Sequence, residues 1–275
     1  MTTLFIALKL LWRRKAANFV LLLQVLVSVA MLAQMYVFLV DHLDNVRAVG
    51  ELPTENALVL PVFEYYPPAY AAERLEASPL VEEVAAVDTG GGTCGDTGCN
   101  VAIYGDGIVR HYTPALQSGG WLEGEAEMED GVLPAVVSQE VGLRVGDTGT
   151  VRLNTGDTAR IRVVGVLKRP TQYLYPTGSA SPAYFSADFV ISQEPAVLLR
   201  ARDAAQSEAF QAAFSSSSFR TSRNLFVFLR PGITDAQYDK ALEEWNRYGE
   251  ITPAASLIST YTEKTGTLIT AGLLT

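Results

Sequence analysis

Reactive side chains are scarce in this sequence. There are two cysteines, Cys94 and Cys99; a zinc site there would need more ligands, and the only histidines are His42 and His111. No G-x-x-x-x-G-K-[ST] occurs, so the chain has no P-loop of its own. Gly146 to Thr150 (GDTGT) reads as a hairpin turn rather than a phosphate loop. Neither G-x-S-x-G nor H-E-x-x-H is present, and Ser215 to Ser218 has no base beside it. His111 is expected at a strand end in a structural role. His42, just past a long apolar run, reads as solvated, with pH sensing the sharper alternative. No catalytic residue, cofactor site or metal site is assigned.

Basic charge is also scarce beyond residue 40. The net charge is −9, yet residues 1–40 carry four basic and no acidic side chains, leaving 17 basic against 30 acidic beyond them. A surface of net −13 disfavours polyanions and excludes nucleic acid as the expected partner. It serves solubility, or it attracts cationic peptides. Glu123 to Asp130 (EGEAEMED) reads as a solvated acidic loop.

One long stretch lacks charge altogether. Ala16 to Val40 contains no ionisable group except the Tyr36 phenol, and as a helix it would measure about 37 Å. The hydrocarbon core of a bilayer is roughly 30 Å thick, so one tilted pass fits. A secretory signal has an apolar core of only ~7–15 residues, so an uncleaved span is expected. Lys9, Trp12, Arg13, Arg14 and Lys15 precede it, which puts the N-terminus in the cytoplasm and the main domain outside. Residues 3–15 read as an amphipathic interfacial helix: a plain topogenic anchor, or a contact for a cytoplasmic partner. Asn18, Gln24, Ser28 and Gln34 either face partner helices or are tolerated in lipid.

Cys94 and Cys99 lie in GGGTCGDTGCN. In an oxidising compartment a small local disulfide is expected, with two free thiols as the alternative. Four residues separate them, so this is not a C-x-x-C redox motif.

Past the span, helix is expected to continue to Val46, so that residues 16–47 form a membrane and stalk helix. Ala57 to Val62 reads as a strand, a helix follows Pro67 and Pro68 and stops at Pro79, and Val81 to Val87 returns as a strand. A second β-α-β unit runs from Leu225 to Thr252. Thr234 and Gln237 suggest a capping box, and Tyr238, Ala241, Leu242, Trp245 and Tyr248 share one helical face. Residues 48–94 and 221–254 therefore read as one split α/β part, with 95–220 inserted and mostly β. In the insert, Val132 to Val137, the Val151/Leu153 alternation and Ile161 to Leu167 are strands. Gly146–Asp147 and Asn154 to Asp157 are turns, Pro170 to Pro182 is a loop, and Ala204 to Phe214 is a helix. Residues 255–275 read as a stalk and the start of a second membrane helix that has been cut, or else as a tail packing on the domain. The expected class is a membrane-anchored α+β protein.

The basic start with one span, the stretch ALQSGGWL (Ala115 to Leu122) and LPAVVSQEVGLRVGDTGTVRL…RIRVVGVLKRP (133–170) resemble the MacB/FtsX-like family of ABC transporter permeases. Gly119, Gly120, Trp121, Gly146 and Asp147 match family turns, with Gly120 standing where Arg is common. The resemblance implies four membrane helices, of which this chain holds the first, and a large extracytoplasmic domain between helices one and two. It implies a permease dimer in the lipid bilayer. A cytoplasmic ABC ATPase carrying ATP and Mg would drive motion of the outer domain, and an extracytoplasmic protein or peptide would be the outer partner. The expected roles are export or release of peptide, lipid-linked or antibiotic-type substrates, or control of cell-envelope enzymes. Two rivals are a single-span protein with an outer ligand-binding or sensor domain and, with less support, a membrane-anchored outer enzyme.

Overall fold

A computed structural model describes residues 15–50, 56–61, 68–123, 131–168, 173–174, 191–192, 195–215, 220–248 and 251–254. The chain divides into two units, residues 1–45 and 46–275.

The described residues of the first unit are helical. Helix α1 runs from Lys15 to Gly50 without interruption, a few residues past the expected Val46. Within it, Phe19–Val40 is the one helix among the described residues long and apolar enough to cross a membrane. Its apolar side chains are exposed on all sides, for example Leu22 at 61% and Leu32 at 66%. A surface of that size and character needs lipid or protein cover.

Among the described residues of the second unit, ten strands form one sheet. Strand β1 (Ala57–Pro61), helix α2 (Pro68–Glu76) and strand β2 (Val81–Cys94) come first. The hairpin partner β3 (Thr97–Tyr104), helix α3 (Asp106–His111) and strand β4 (Leu116–Gly119) follow. Then come β5 (Leu133–Val137), β6 (Thr148–Leu153) and β7 (Thr158–Leu167). A two-stranded pair, β8 (Tyr173–Leu174) and β9 (Ile191–Ser192), stands apart. The chain continues through β10 (Ala196–Arg200), α4 (Ala201–Ala204), α5 (Glu208–Ser215), β11 (Arg220–Leu229), α6 (Asp235–Trp245) and β12 (Thr252–Pro253).

The two expected β-α-β units interleave. The sheet order there is β12-β1-β11-β2, and β1 runs antiparallel to both β11 and β12, as β11 does to β2. This is the arrangement of a ferredoxin-like pair of split units. Alternation along β1 sends Leu58 and Leu60 toward α2 and α6, where they join Leu75, Val227 and Trp245. Ala57 and Val59 face the other way, into a core with Val87, Tyr104, Ile108 and Phe226.

The inserted part is not a separate sheet. Strand β2 is 14 residues long, twice the expected Val81 to Val87, and is shared by both halves. Its first ten residues pair with β11, and Gly92 to Cys94 pair with β6 on the same side. Because β6 also pairs with β7, the strands β2-β3-β10-β5-β7-β6 close into a six-stranded ring. The Gly90–Gly92 run lies in the strand, where backbone and a side chain approach closely. A Cβ on Gly92 would lie 2.7 Å from the Arg152 carbonyl oxygen, and one on Gly91 would strike the Asn154 amide. The ring encloses a continuous apolar core including Val101, Val137, Val151, Ile161 and Leu199, into which α5 inserts Phe210 and Ala213.

Several expectations need correcting. Strands β3 and β10 were not anticipated. His111 ends helix α3 rather than a strand, because Asp106 to His111 turns back over β2 with Val109 N–H donating to the Gly105 carbonyl. The helix expected at Ala204 to Phe214 is two, α4 and α5, separated by turns at Ala205 to Ser207. Tyr248 lies past the end of α6, in a 3-10 turn (Asn246–Tyr248). The acidic loop past Glu123, most of Pro170 to Pro182, and the tail from 255 lie outside the described residues.

Candidate functional site

Two of the sequence-singled turns meet on β7. Gly119 stands opposite Gly165 in the β4–β7 register, and Gly120 N–H donates to the Val164 carbonyl at 2.9 Å. Gly119 has φ +82, and a Cβ there would lie 2.2 Å from the Val164 oxygen. A Cβ on Gly165 would lie 2.3 Å from the Gly120 oxygen. Gly165 is thus a partner of the turn that the sequence reading did not single out; its place inside VVGV was the available signal. The next residue, Trp121, donates its indole N–H to the Val109 carbonyl at 3.0 Å. Its ring lies 6.0 Å from Tyr104 and 6.3 Å, edge-on, from Tyr112. The Gly-Gly-Trp turn therefore locks β4, β7 and α3 together.

Gly146 and Asp147 form the second turn. Gly146, at φ +90, donates N–H to Val163, and Val163 N–H donates to the Asp147 carbonyl at 2.9 Å. Asp147 Oδ2 accepts the Arg144 N–H at 2.9 Å, which closes the loop. The turn feeds β6 and β7 and offers no phosphate cradle.

Cys94 and Cys99 are buried free thiols, so the expected disulfide is not formed in the structure. Cys94 pairs with Thr97 and Cys99 with Gly92 across the β2–β3 hairpin. The two are diagonal on one face rather than directly opposed, and both belong to the ring core. Burial pushes both thiols up. Cys99 is raised to about 12, burial acting first and the neighbouring Cys94 adding to it. Such thiols are poor nucleophiles.

His111 stacks on Phe228 with ring centres 4.2 Å apart and lies 3.8 Å from Glu83, which also pairs with Arg110. It packs α3 onto β2 and β11. Of the topogenic residues, Lys15 opens α1, while Lys9, Trp12, Arg13 and Arg14 lie outside the described residues. No group of three or more His, Cys, Asp or Glu side chains gathers among the described residues.

One concave feature was missed. Tyr70 and Arg74 of α2 and Arg247 and Tyr248 of the 3-10 turn line a cleft of about 290 Å³. No sequence motif marks it, since its two sides lie more than 170 residues apart.

The model for the MacB-like periplasmic core domain matches residues 20–245. The chain belongs to that family. The periplasmic region of MacB from Actinobacillus actinomycetemcomitans is similar over 77% of this chain and 94% of its own, at 12% identity and a TM-score of 0.46. The extracellular domain of the noncanonic ABC-type transporter YknZ from Gram-positive bacteria is similar over 71% and 97%, at 12% identity and a TM-score of 0.39. No curated protein matches. In this MacB-like chain the matched residues 20–245 include the Gly-Gly-Trp turn at Gly119 to Trp121.

Proposed function

We propose that this MacB-like chain is a permease subunit of an ABC transporter whose extracytoplasmic domain is moved by ATP hydrolysis on a partner. The observation that carries the reading is the combination of an apolar helix long enough to cross a membrane, Phe19–Val40, with a family match that continues to residue 245. The N-terminus would be cytoplasmic, held there by Lys9, Arg13, Arg14 and Lys15. ATP and Mg would be bound by the ATPase, and two permease copies would act together. A working domain of this kind must carry force without melting. The sharing of β2 between the interleaved β-α-β units and the closed ring supports that role, because neither part can shift without straining the other. The cargo would be a peptide, a lipid-linked molecule or an antibiotic, or the output would be control of an envelope enzyme.

The test is a tag at the native locus, extraction in mild detergent and identification of what co-purifies. A P-loop ATPase in stoichiometric amount, with ATP hydrolysis by the assembly, is expected. Reversing the four basic charges should then invert or block insertion. A monodisperse complex with no ATPase would sink the permease reading and favour a single-span ligand-binding protein.

A further inference from the structure

The cleft between α2 and the turn after α6 is built from two arginine–tyrosine pairs. The Arg74 guanidinium lies over the Tyr70 ring at 5.4 Å, and that of Arg247 over the Tyr248 ring at 4.9 Å. The two rings meet edge-on, with centres 6.3 Å apart and planes at 71°. Tyr248 is buried and Tyr70 is 42% exposed, so one ring anchors the site and the other forms an open wall. Spacing of i and i+4 puts Tyr70 and Arg74 on one face of α2. The two cations thus come from elements joined only by tertiary packing, and they line the same space of about 290 Å³.

Placing two guanidiniums together costs Coulomb energy, even near the surface. Stacking on a phenol face offsets part of this and fixes the direction of each planar fork. Arg74 makes no ion pair among the described residues. Arg247 is held by Glu244 at 3.1 Å, where the two side chains are 60% and 57% exposed. Such an exposed pair is weak and exchangeable. The surrounding unit is strongly acidic, which makes a paired cationic cleft an exception in it.

The geometry points to a binding site for a phosphate-bearing group. A carboxylate has two in-plane oxygens and is satisfied by one guanidinium fork. A phosphate presents oxygens on several sides and can accept from two forks at once. The open Tyr70 ring would cover the carbon skeleton that carries the phosphate. The group could come from a lipid headgroup or from a soluble phosphate, and the chemistry is shared. This site does not depend on the ATPase partner proposed above.

The test is arginine modification by phenylglyoxal on the full chain in nanodiscs, read residue by residue by mass spectrometry. In phosphatidylcholine discs, inorganic phosphate at about tenfold its Kd should slow modification of Arg74 and Arg247 about tenfold. Arg152, exposed on β6, should be unaffected. That result assigns a soluble phosphate. Slowing at the same two residues in phosphatidylglycerol discs without added phosphate assigns a lipid headgroup. No selective slowing in either arm, or equal slowing at Arg152, overturns the site. Arg247→Gln should abolish the protection of Arg74, and persistence of that protection would overturn the two-arginine geometry. Failure here leaves ATPase co-purification untouched, so the two readings fail separately.

Discussion

The indole N–H of Trp121 donates to the carbonyl of Val109 at 3.0 Å, joining the end of the Gly-Gly-Trp turn to helix α3. Trp121 also borders Tyr104, which is fully buried in the core on that side of the sheet. Trp121→Phe keeps most of the ring contacts but orphans the Val109 carbonyl, for a loss of about 1–2 kcal/mol. Trp121→Ala removes the ring as well and should cost about 3 kcal/mol or more. Thermal unfolding of the full chain in detergent, followed by near-ultraviolet circular dichroism, should rank wild type above Phe and Phe above Ala. Equal melting of the Phe variant and wild type would show that the hydrogen bond contributes nothing.

Gly119 and Gly165 are the points where β4 presses on β7. At Gly119 both the positive φ and the Val164 oxygen forbid a side chain. Gly119→Ala should therefore destabilise by about 2–3 kcal/mol through strain. Gly120 has open space around its Cβ position. Gly120→Arg should therefore leave the melting temperature unchanged. A Gly119→Ala variant as stable as wild type would mean that the turn relaxes freely.

The capping box at the start of α6 is reciprocal. The Thr234 hydroxyl accepts from the Gln237 N–H, and the Gln237 side chain accepts from the Thr234 N–H. Thr234→Ala should cost about 1 kcal/mol, and Thr234→Asp should retain most of the stability. Urea unfolding midpoints of the three proteins would check the order, and an Ala variant above the Asp variant would contradict it.

What the sequence made legible follows from how locally each feature is determined. The apolar helix, the Thr234 cap and the Gly146–Asp147 turn depend on neighbours a few residues away, and each was readable. Strand β2 was half read, because its second half holds Gly90–Gly92, where the Arg152 carbonyl and the Asn154 side chain approach. Strand β10 follows a segment with no clear pattern, and its parallel pairing with β3 joins residues some 96 apart in sequence. The Tyr70–Arg74–Arg247–Tyr248 cleft was not readable at all. Neither half carries a motif, and the two halves meet only because the β-α-β units interleave.

Phe210 is the plug of the ring. It is completely buried, and Ala213 beside it is too. The ring strands supply the wall, and α5 supplies what fills it. Phe210→Ala should cost about 3–5 kcal/mol, while Phe210→Leu should cost roughly half as much. Hydrogen exchange would localise the effect. Amides of β3, β5, β7 and β10 should lose protection in Phe210→Ala, whereas those of β1 and α6 should lose less. Uniform loss throughout residues 57–254 would show instead that the ring and the interleaved units open as one.

The buried thiols give the domain a defined alkaline weakness. Cys99 is raised from 9.0 to about 12 by burial, with Cys94 adding to the rise. The folded state therefore holds its proton where the unfolded state has released it. Below pH 9 both states are protonated, and the thiol adds no pH dependence. Between about pH 9 and 12 the unfolded chain binds fewer protons than the folded one. Stability then falls as pH rises, by up to about 1.4 kcal/mol per pH unit for this group. Cys94 shifts in the same direction and steepens the fall. Replacing both residues by Ala should flatten the dependence of the unfolding midpoint on pH between 8 and 11 while lowering its value near neutrality, since two core side chains are shortened. The same burial predicts that iodoacetamide modifies neither thiol at pH 8 until denaturant is added. Rapid modification of the folded chain would show that the hairpin opens on its own, and an unchanged alkaline slope in the double variant would remove the thiols as its cause.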